Sequence, residues 1–300
     1  MKIIRDKLVK FNDTVLSIGT FDGVHAGHAQ ILTELGRNRL KKGLITFTEP
    51  PRNFFGEKAE RILTPEKKLE ILKGFGLDTV LILKFNRKIS EMKAEDFLDS
   101  ITGRNLEIIC GKDFKLGSDG KNASFIEEYL KKRLQKKRVL MVIEPLNINN
   151  EIVSSSKVRE LLKKGRVKKA GNFLGRKYSI QGSFVRGRQF GRKIGYPTAN
   201  FGRIKTIVPG MGVYITSLKI DDEFYRSLTN IGFAPTTGKN RLSVETYIIN
   251  FKKNVYNKKA ELFFIDKIRD EIKFTSTEEL KEQISKDIKK EERYFKNMED

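Results

Sequence analysis

The sequence is poor in the residues that carry most redox and metal chemistry: one cysteine, Cys110, and two histidines in 300 residues. A single cysteine excludes an internal disulfide framework and any multi-cysteine zinc site. Cys110 lies inside the apolar run Leu106 to Cys110, which predicts a buried, inert thiol and a cytoplasmic setting. No run of about 18 apolar residues occurs, and the start MKIIRDKLVKF shows no apolar stretch of signal-peptide length before charge returns. No membrane partner is expected. Internal repeats and low-complexity segments are also missing.

What the chain has in excess is positive charge, with 60 Lys and Arg against 38 Asp and Glu, a net +22. Neutralisation of phosphates would suit a nucleic-acid binder, but that reading needs clustering. Here the excess is spread in short runs such as Lys131 to Arg133, Lys136 to Arg138 and Lys163 to Lys169. These read as solvated helix faces, which argues against nucleic acid as a partner. An apolar share of 38% with 21 Phe and eight Tyr allows buried cores, and the length suits two domains.

From Thr14 to about residue 145, strand-length apolar runs alternate with helical patterns. Thr14 to Thr20, Leu44 to Phe47, Thr79 to Leu83, Leu106 to Cys110 and Val139 to Ile143 predict strands. Thr64, Pro65 and Glu66 mark a helix start, with a hydroxyl cap, a proline at the first position and an acid near the positive end of the dipole. Such alternation predicts an α/β domain with a doubly wound parallel sheet. After Ser154 come basic helical stretches, Ser156 to Lys164 and Val167 to Phe173. Short runs broken by glycines and by Pro197, Pro209 and Pro235 follow. Tyr178 to Val185, Gly212 to Leu218, Leu242 to Phe251 and Lys259 to Ile265 predict an antiparallel barrel or sandwich. Ser276 and Glu279 form a capping box ahead of the stripe Leu280, Ile284, Ile288, a terminal helix. The boundary is placed near Gly175, giving domains 1–174 and 175–300.

Both histidines fall in one short segment, Gly19-Thr-Phe21-Asp22-Gly-Val-His25-Ala-Gly27-His28, directly after the first predicted strand and at a helix start. A helix N-terminus offers free N–H groups and partial positive charge, where the triphosphate of ATP would settle, and Gly27 lets phosphate approach the backbone. His25 and His28 can stabilise charge that builds on the α-phosphate and the leaving pyrophosphate. A metal pair completed by Asp22, or surface histidines at a turn, are the alternatives. No other histidine or cysteine is available to complete a transition-metal site.

This segment resembles the HxGH nucleotidyltransferases, and in its longer form the adenylyltransferase module of prokaryotic FAD synthetases. Gly111-Lys-Asp113-Phe114-Lys-Leu-Gly117 is similar to that family's loop near FMN and adenine. Asp113 and Asn122 lie where its flavin and adenine contacts fall. Ser154-Ser155-Ser156-Lys-Val-Arg159 resembles its second phosphate-binding signature. Unaided, hydroxyls and N–H groups at a helix start with an Arg on the first turn make either an anion cradle or simply a cap. The family often carries Pro-His-Pro after its second strand, whereas this chain reads Thr48-Glu49-Pro50-Pro51-Arg52.

Further on, the stretch Gly187-Arg-Gln-Phe-Gly191-Arg192-Lys-Ile-Gly195-Tyr-Pro197-Thr198-Ala-Asn200 could wrap phosphates with backbone N–H groups. Thr198 and Asn200, two apart on an extended segment, would aim oxygens the same way, and such oxygens suit Mg²⁺. A turn between strands would also account for it. The stretch is similar to the signature of riboflavin kinases, and Gly212 to Tyr214, Asn230 to Thr236, Val244-Glu245, Phe251, Tyr256 and Ile268 to Phe274 resemble the rest of that module in order. By this likeness Glu245 is the general base on the ribityl 5′-hydroxyl, and Arg269, Lys273 and Phe274 belong to the flavin side. By itself Glu245 reads as an exposed strand glutamate. The departures are Ala234, where the family commonly has Arg, and Arg186, near the place of a family histidine.

The resemblance spans about residues 14 to 290 and implies a bifunctional riboflavin kinase and FAD synthetase. Riboflavin and ATP would give FMN and ADP at the C-terminal domain. FMN and a second ATP would give FAD and pyrophosphate at the N-terminal one, with Mg²⁺ in both steps. An aminoacyl-tRNA-synthetase-like fragment would explain His-Ala-Gly-His and the charge together, but it predicts a Lys-Met-Ser-Lys-Ser type loop that is missing.

Overall fold

The computed structural model describes residues 1–185, 191, 194–233, 242–251, 255 and 258–299. Arg186, Arg192, Ala234, Pro235, Thr236 and Tyr256, which figure in the sequence reading, lie outside the described residues. By internal contacts the chain divides into two compact units, Met1–Ser155 and Ser156–Asp300.

The first unit runs β1 (Lys2–Arg5), β2 (Thr14–Ile18), α1 (Ala26–Arg37), β3 (Lys41–Phe47), α2 (Pro65–Lys73), β4 (Thr79–Leu83), α3 (Arg87–Glu91), α4 (Ala94–Ile101), β5 (Leu106–Gly111), α5 (Ala123–Leu134) and β6 (Leu140–Ile143), then the small hairpin β7 (Asn147–Ile148) and β8 (Glu151–Ile152). Six strands form one sheet in the order β1-β4-β3-β2-β5-β6. Every pairing in it is parallel. All five residues of β2 are buried, as a strand covered on both faces requires. In α4 the buried residues are Ala94, Phe97, Leu98 and Ile101, spaced to make one apolar face. The predicted start at Thr64 holds, with its hydroxyl accepting from Lys67 N at 3.2 Å and Pro65 in the first turn.

Two features differ from the sequence reading. The edge strand β1 was not foreseen, because Lys-Ile-Ile-Arg is too short and too polar to carry a period. The strand predicted through Thr20 stops at Ile18: Gly19 N still donates to Ile45 O at 3.0 Å, and the chain then bends into the turn that carries the histidines.

The second unit holds α6 (Ser155–Lys163), α7 (Val167–Leu174), β9 (Tyr178–Val185), β10 (Thr198–Gly202), β11 (Gly212–Ile220), β12 (Glu223–Phe233), β13 (Leu242–Ile248), β14 (Lys259–Arg269) and α8 (Thr277–Glu299). Its strands close into an antiparallel barrel, β10-β13-β12-β11-β14-β9. The boundary expected near Gly175 and the division at Ser155 differ because α7 buries Val167, Ala170, Phe173 and Leu174 and packs on β9 and β14.

Strand β12 was hidden by composition, since Ser227 and Thr229 do not look like core residues. Both are fully buried with Thr216 and Thr246, and the four hydroxyls bond one another at 2.8 to 3.1 Å. A satisfied polar ladder is tolerated inside a barrel where a lone hydroxyl would not be.

The residues alternating with this ladder, Ile215 and Leu228, pack with Ile265 against Ile288, Tyr294 and Phe295 of α8. Two ion pairs fasten that helix. Arg226 grips the fully buried Glu291 at 2.8 and 2.5 Å. Arg269 grips the buried Asp287 at 2.8 to 3.1 Å. At the helix start Ser276 caps Glu279 N at 3.1 Å as foreseen, while the Glu279 carboxylate reaches back to Thr275 N at 3.0 Å.

Candidate active sites

In the parallel sheet the chain passes from β2 outward through β3 and β4, then crosses to β5 and β6 on the other side. The crevice at the carboxyl ends of β2 and β5 is therefore a topological switch point, where ligands of open α/β sheets bind. A cavity of about 300 Å³ lies there, walled by Gly19, Phe21, His25, Gly27 and His28 from the β2 side and by Gly111, Asp113 and Phe114 from the β5 side.

His25 is the N-cap of α1, and its Nδ1 accepts the backbone N–H of His28 at 3.2 Å. The sequence reading put both imidazoles on phosphate, so this capping role is an addition. It also assigns the tautomer: in neutral His25 the proton sits on Nε2. The His25 and His28 rings stack at 3.6 Å, and the Phe21 ring lies 4.8 Å from His28. The two glycines are tightly packed, so an added Cβ would press a neighbouring ring. A Cβ on Gly19 would meet the Phe21 ring at 3.0 Å, and one on Gly27 would meet the His25 ring at 3.3 Å.

Other predicted residues of this site are distributed differently. Asp22 is buried, its carboxylate accepting Ile62 N at 3.2 Å. It lines a small recess with Lys68 and Arg61 rather than the histidine cavity. Ser155 Oγ donates to the Asp22 carbonyl at 2.8 Å. Ser156 and Arg159 lie in the first turns of α6, Arg159 buried. Asn122 is the N-cap of α5 and accepts Phe125 N at 3.1 Å. Cys110, at the end of β5, is buried, and burial pushes its thiol up to about 11, in keeping with an inert side chain.

In the barrel a cavity of about 410 Å³ is walled by Gly191, Thr198, Asn200, Asn230 and Glu245 at one end. Val213, Leu228, Ile272, Phe274, Leu280 and Ile284 form an apolar stretch of its wall, and Arg269, Glu271 and Asp287 line it as well. Backbone register makes the polar end. Glu245 on β13 pairs with Asn200 on β10 and with Asn230 on β12. Thr198, two residues before Asn200, pairs with Tyr247. Side chains two apart on a strand share a face, so the hydroxyl, the amide and the carboxylate converge.

The hydroxyl of Ser243, two before Glu245, lies 3.3 Å from both Asn200 Oδ1 and Glu245 Oε1 and shares its one proton between them. The period of two from Glu245 was the only sequence signal for it. Gly191 admits no side chain, because a Cβ there would collide with the Tyr196 carbonyl and meet Thr198 Oγ1 at 3.1 Å. Gly195 has φ +87, a backbone state that favours glycine ahead of Pro197. Arg269 lines the cavity with its guanidinium engaged by Asp287 and standing 6.0 Å from the Phe274 ring. Lys273 is exposed. Among the described residues no group of three His, Cys, Asp or Glu is placed to hold a metal.

A helix start at a sheet switch point, followed along the chain by a barrel in which Thr198, Asn200 and Glu245 share a cavity, is the frame of a two-site enzyme of nucleotidyl and phosphoryl transfer. The model of FAD synthetase matches residues 8–157 and that of riboflavin kinase residues 174–295. A bifunctional riboflavin kinase/FMN adenylyltransferase of Buchnera aphidicola (Schizaphis graminum) is 36% identical, covering 98% of this chain and 99% of its own length. The protein so described from Bacillus subtilis is 33% identical, covering 95% of this chain and 93% of its own length. The chain belongs to the bifunctional riboflavin kinase/FMN adenylyltransferase family. A crystal structure from Streptococcus pneumoniae described as a macrolide-efflux protein matches with TM-score 0.87 at 27% identity, over 96% of this chain and 98% of its own. No helix among the described residues here is long and apolar enough to cross a membrane.

Proposed function

We propose that the two cavities divide the family's two steps, riboflavin phosphorylation in the barrel domain, 175–300, and FMN adenylylation in the sheet domain, 1–174. The observation that carries this reading is that each cavity is walled by one motif set and by none of the other.

In the barrel the riboflavin 5′-hydroxyl oxygen attacks the γ-phosphorus of ATP, the bond to the β-phosphate oxygen breaks, ADP leaves and FMN forms. Glu245 accepts the hydroxyl proton, held in place by its strand and by Ser243. The apolar wall with Phe274 takes the flavin ring, Arg269 props that wall through Asp287, and Lys273 serves from the exposed rim. Gly191, Arg192, Gly195, Pro197 and Thr198 form the phosphate loop.

The side-chain oxygens of Thr198, Asn200 and Glu245 line one cavity and are hard donors, so the residues fit Mg²⁺. When bound it neutralises charge on the transferring phosphoryl group. Thr198 and Asn200 are its protein ligands in this reading, and Ser243 orients the Asn200 oxygen.

In the sheet domain an FMN phosphate oxygen attacks the α-phosphorus of a second ATP, pyrophosphate leaves and FAD forms. The nucleophile is already an anion, so positioning carries most of the rate. His28 and the Nε2 side of His25 donate to phosphate at the α1 N-terminus. Gly19, Phe21 and Gly27 shape the floor, and Ser155, Ser156 and Arg159 are assigned to phosphate by likeness. Asp113 faces the flavin and adenine side, where Asn122 is assigned by likeness. The working compartment is the cytoplasm, where ATP is made and a lone buried thiol stays reduced.

The test is a paired assay with riboflavin or FMN, ATP and Mg²⁺. His28→Ala lowers FAD formation by about 100-fold or more and leaves FMN formation intact. Glu245→Gln lowers FMN formation by a similar factor, about 100-fold, and leaves FAD formation from supplied FMN intact. If either substitution removed both activities in a folded protein, the division of labour would be wrong.

A further inference from the structure

Lysine 68 lies on α2, a helix that no motif touches, yet it is 7% exposed. Its ammonium has three N–H donors and three acceptors: Thr20 O at 3.2 Å, Thr46 Oγ1 at 3.0 Å and Phe47 O at 2.7 Å. Thr46 Oγ1 in turn donates to Thr20 O at 2.8 Å. Thr20 is the last residue before the turn that carries the histidines, and Phe47 ends β3.

That turn is strained. Phe21 has φ +48, Gly23 +82 and Val24 +38. Non-glycine residues keep such angles only where their surroundings over-determine them. Four tethers do so here: Lys68 and Thr46 on the Thr20 carbonyl, Ile62 N on the Asp22 carboxylate, and Ser155 Oγ on the Asp22 carbonyl. The strain is what brings the Phe21 ring against His28 and sets His25 at the helix cap.

We infer that Lys68 is a positioning residue for adenylyl transfer, its ammonium anchoring the histidine turn to the end of β3 so that the imidazoles meet the phosphates of ATP. This rests on the reading of Gly19 to His28 as the ATP site. The groups facing the amine are Asp22 from the turn, which favours its charge, and Arg61 ahead of α2, which opposes it. Arg61 is itself paired with Glu49 from the segment after β3. Burial is the largest influence and brings the Lys68 amine down to about 8. A neutral amine keeps two N–H groups for three acceptors, so one tether is lost as pH rises through that value.

The sign separates this role from plain stability. Unfolded, the lysine holds its proton to its ordinary value of 10.5, and folded it releases it near 8. Between those values the unfolded chain binds more protons, so this group's contribution to folding stability rises with pH. Positioning is lost over the same interval, so activity and stability move in opposite directions.

The experiment uses the whole chain, with riboflavin phosphorylation as the internal reference. Lys68→Met lowers FMN adenylylation on the order of 100-fold, chiefly in kcat, with FMN formation within about twofold of the parent. Lys68→Arg, which stays charged, recovers most of the rate and moves the alkaline fall in FAD synthesis up by more than about one pH unit. FAD synthesis by Lys68→Met within about threefold of the parent, or an alkaline fall unchanged in Lys68→Arg, overturns the inference. Should circular dichroism show Lys68→Met unfolded, the Lys68→Arg profile decides alone. His28→Ala run alongside separates the two readings. If it retains FAD synthesis, the ATP-site reading falls and this inference with it. If it abolishes synthesis while Lys68→Met does not, only the role of Lys68 falls.

Discussion

In the proposed division of labour the sheet site and the barrel site both take ATP, yet they are built in different ways. The sheet site is local: ten consecutive residues from Gly19 to His28 supply the turn, the cap, the stacked imidazoles and the glycines packed against their rings. The barrel site is distributed, with Thr198 and Asn200 on one strand, Glu245 on the next, Asn230 beyond it, and Asp287 on a helix that starts after the barrel ends. A local site depends on backbone strain and its tethers. A distributed one depends on register and on the ion pairs that seat its covering helix.

That difference can be broken at its anchor points. The largest effect is expected from Arg269→Ala, which takes the cationic partner from the carboxylate of Asp287, 3% exposed as a side chain, and leaves it the Gln283 amide at 2.9 Å. Removing one partner of a buried pair costs about 3–5 kcal/mol. Urea unfolding should show that loss. Riboflavin phosphorylation should fall with it while FAD formation from FMN stays within about twofold. Equal loss of both activities would mean that the helix seat matters beyond the barrel.

Next comes Gly27→Ala in the local site. The added Cβ presses the His25 ring at 3.3 Å, so the ring must give by a few tenths of an ångström. A drop of about tenfold in kcat/KM for FMN adenylylation is expected, with melting temperature and FMN formation unchanged. A variant at the parental rate would show that the imidazole stack has slack.

The smallest effect sharpens the edge of the same site. Asn122 is assigned to flavin or adenine by likeness, yet its side chain caps α5. Asn122→Ala should lower stability by about 1 kcal/mol and Asn122→Ser by less. KM for ATP and FMN stays at the parental value if capping is its whole role. A raised KM in both variants would assign it to the ligand as well.

Some of this was legible in the sequence for identifiable reasons. Thr79 to Leu83 and Leu106 to Cys110 stood out as strands because a parallel sheet buries both faces and leaves continuous apolar runs. Thr64-Pro65 announced a helix because capping is a property of neighbouring residues. The histidine motif was visible because a helix N-terminus is built by adjacent positions. Strand β12 was not visible, since Ser227 and Thr229 are acceptable inside the barrel only because Thr216 and Thr246 arrive from other strands to bond them. Lys68 was invisible for the same reason, as its acceptors come from residues about twenty and fifty positions away and no period of α2 signals a buried amine.

The amino-acid sequence by itself determined the two-part organisation, the strand and helix rhythm of each part, and the two motifs with their order along the chain. These follow from short-range sterics, capping and burial patterns, which neighbouring residues settle among themselves. Tertiary structure alone decided which far-apart groups meet: Ser243 between Asn200 and Glu245, Arg269 held by Asp287, and Lys68 beneath the histidine turn. The meeting of Ser243, Asn200 and Glu245 depends on strand register, where a shift of one residue would turn each side chain to the opposite face, and the other two on how a helix packs against the strands.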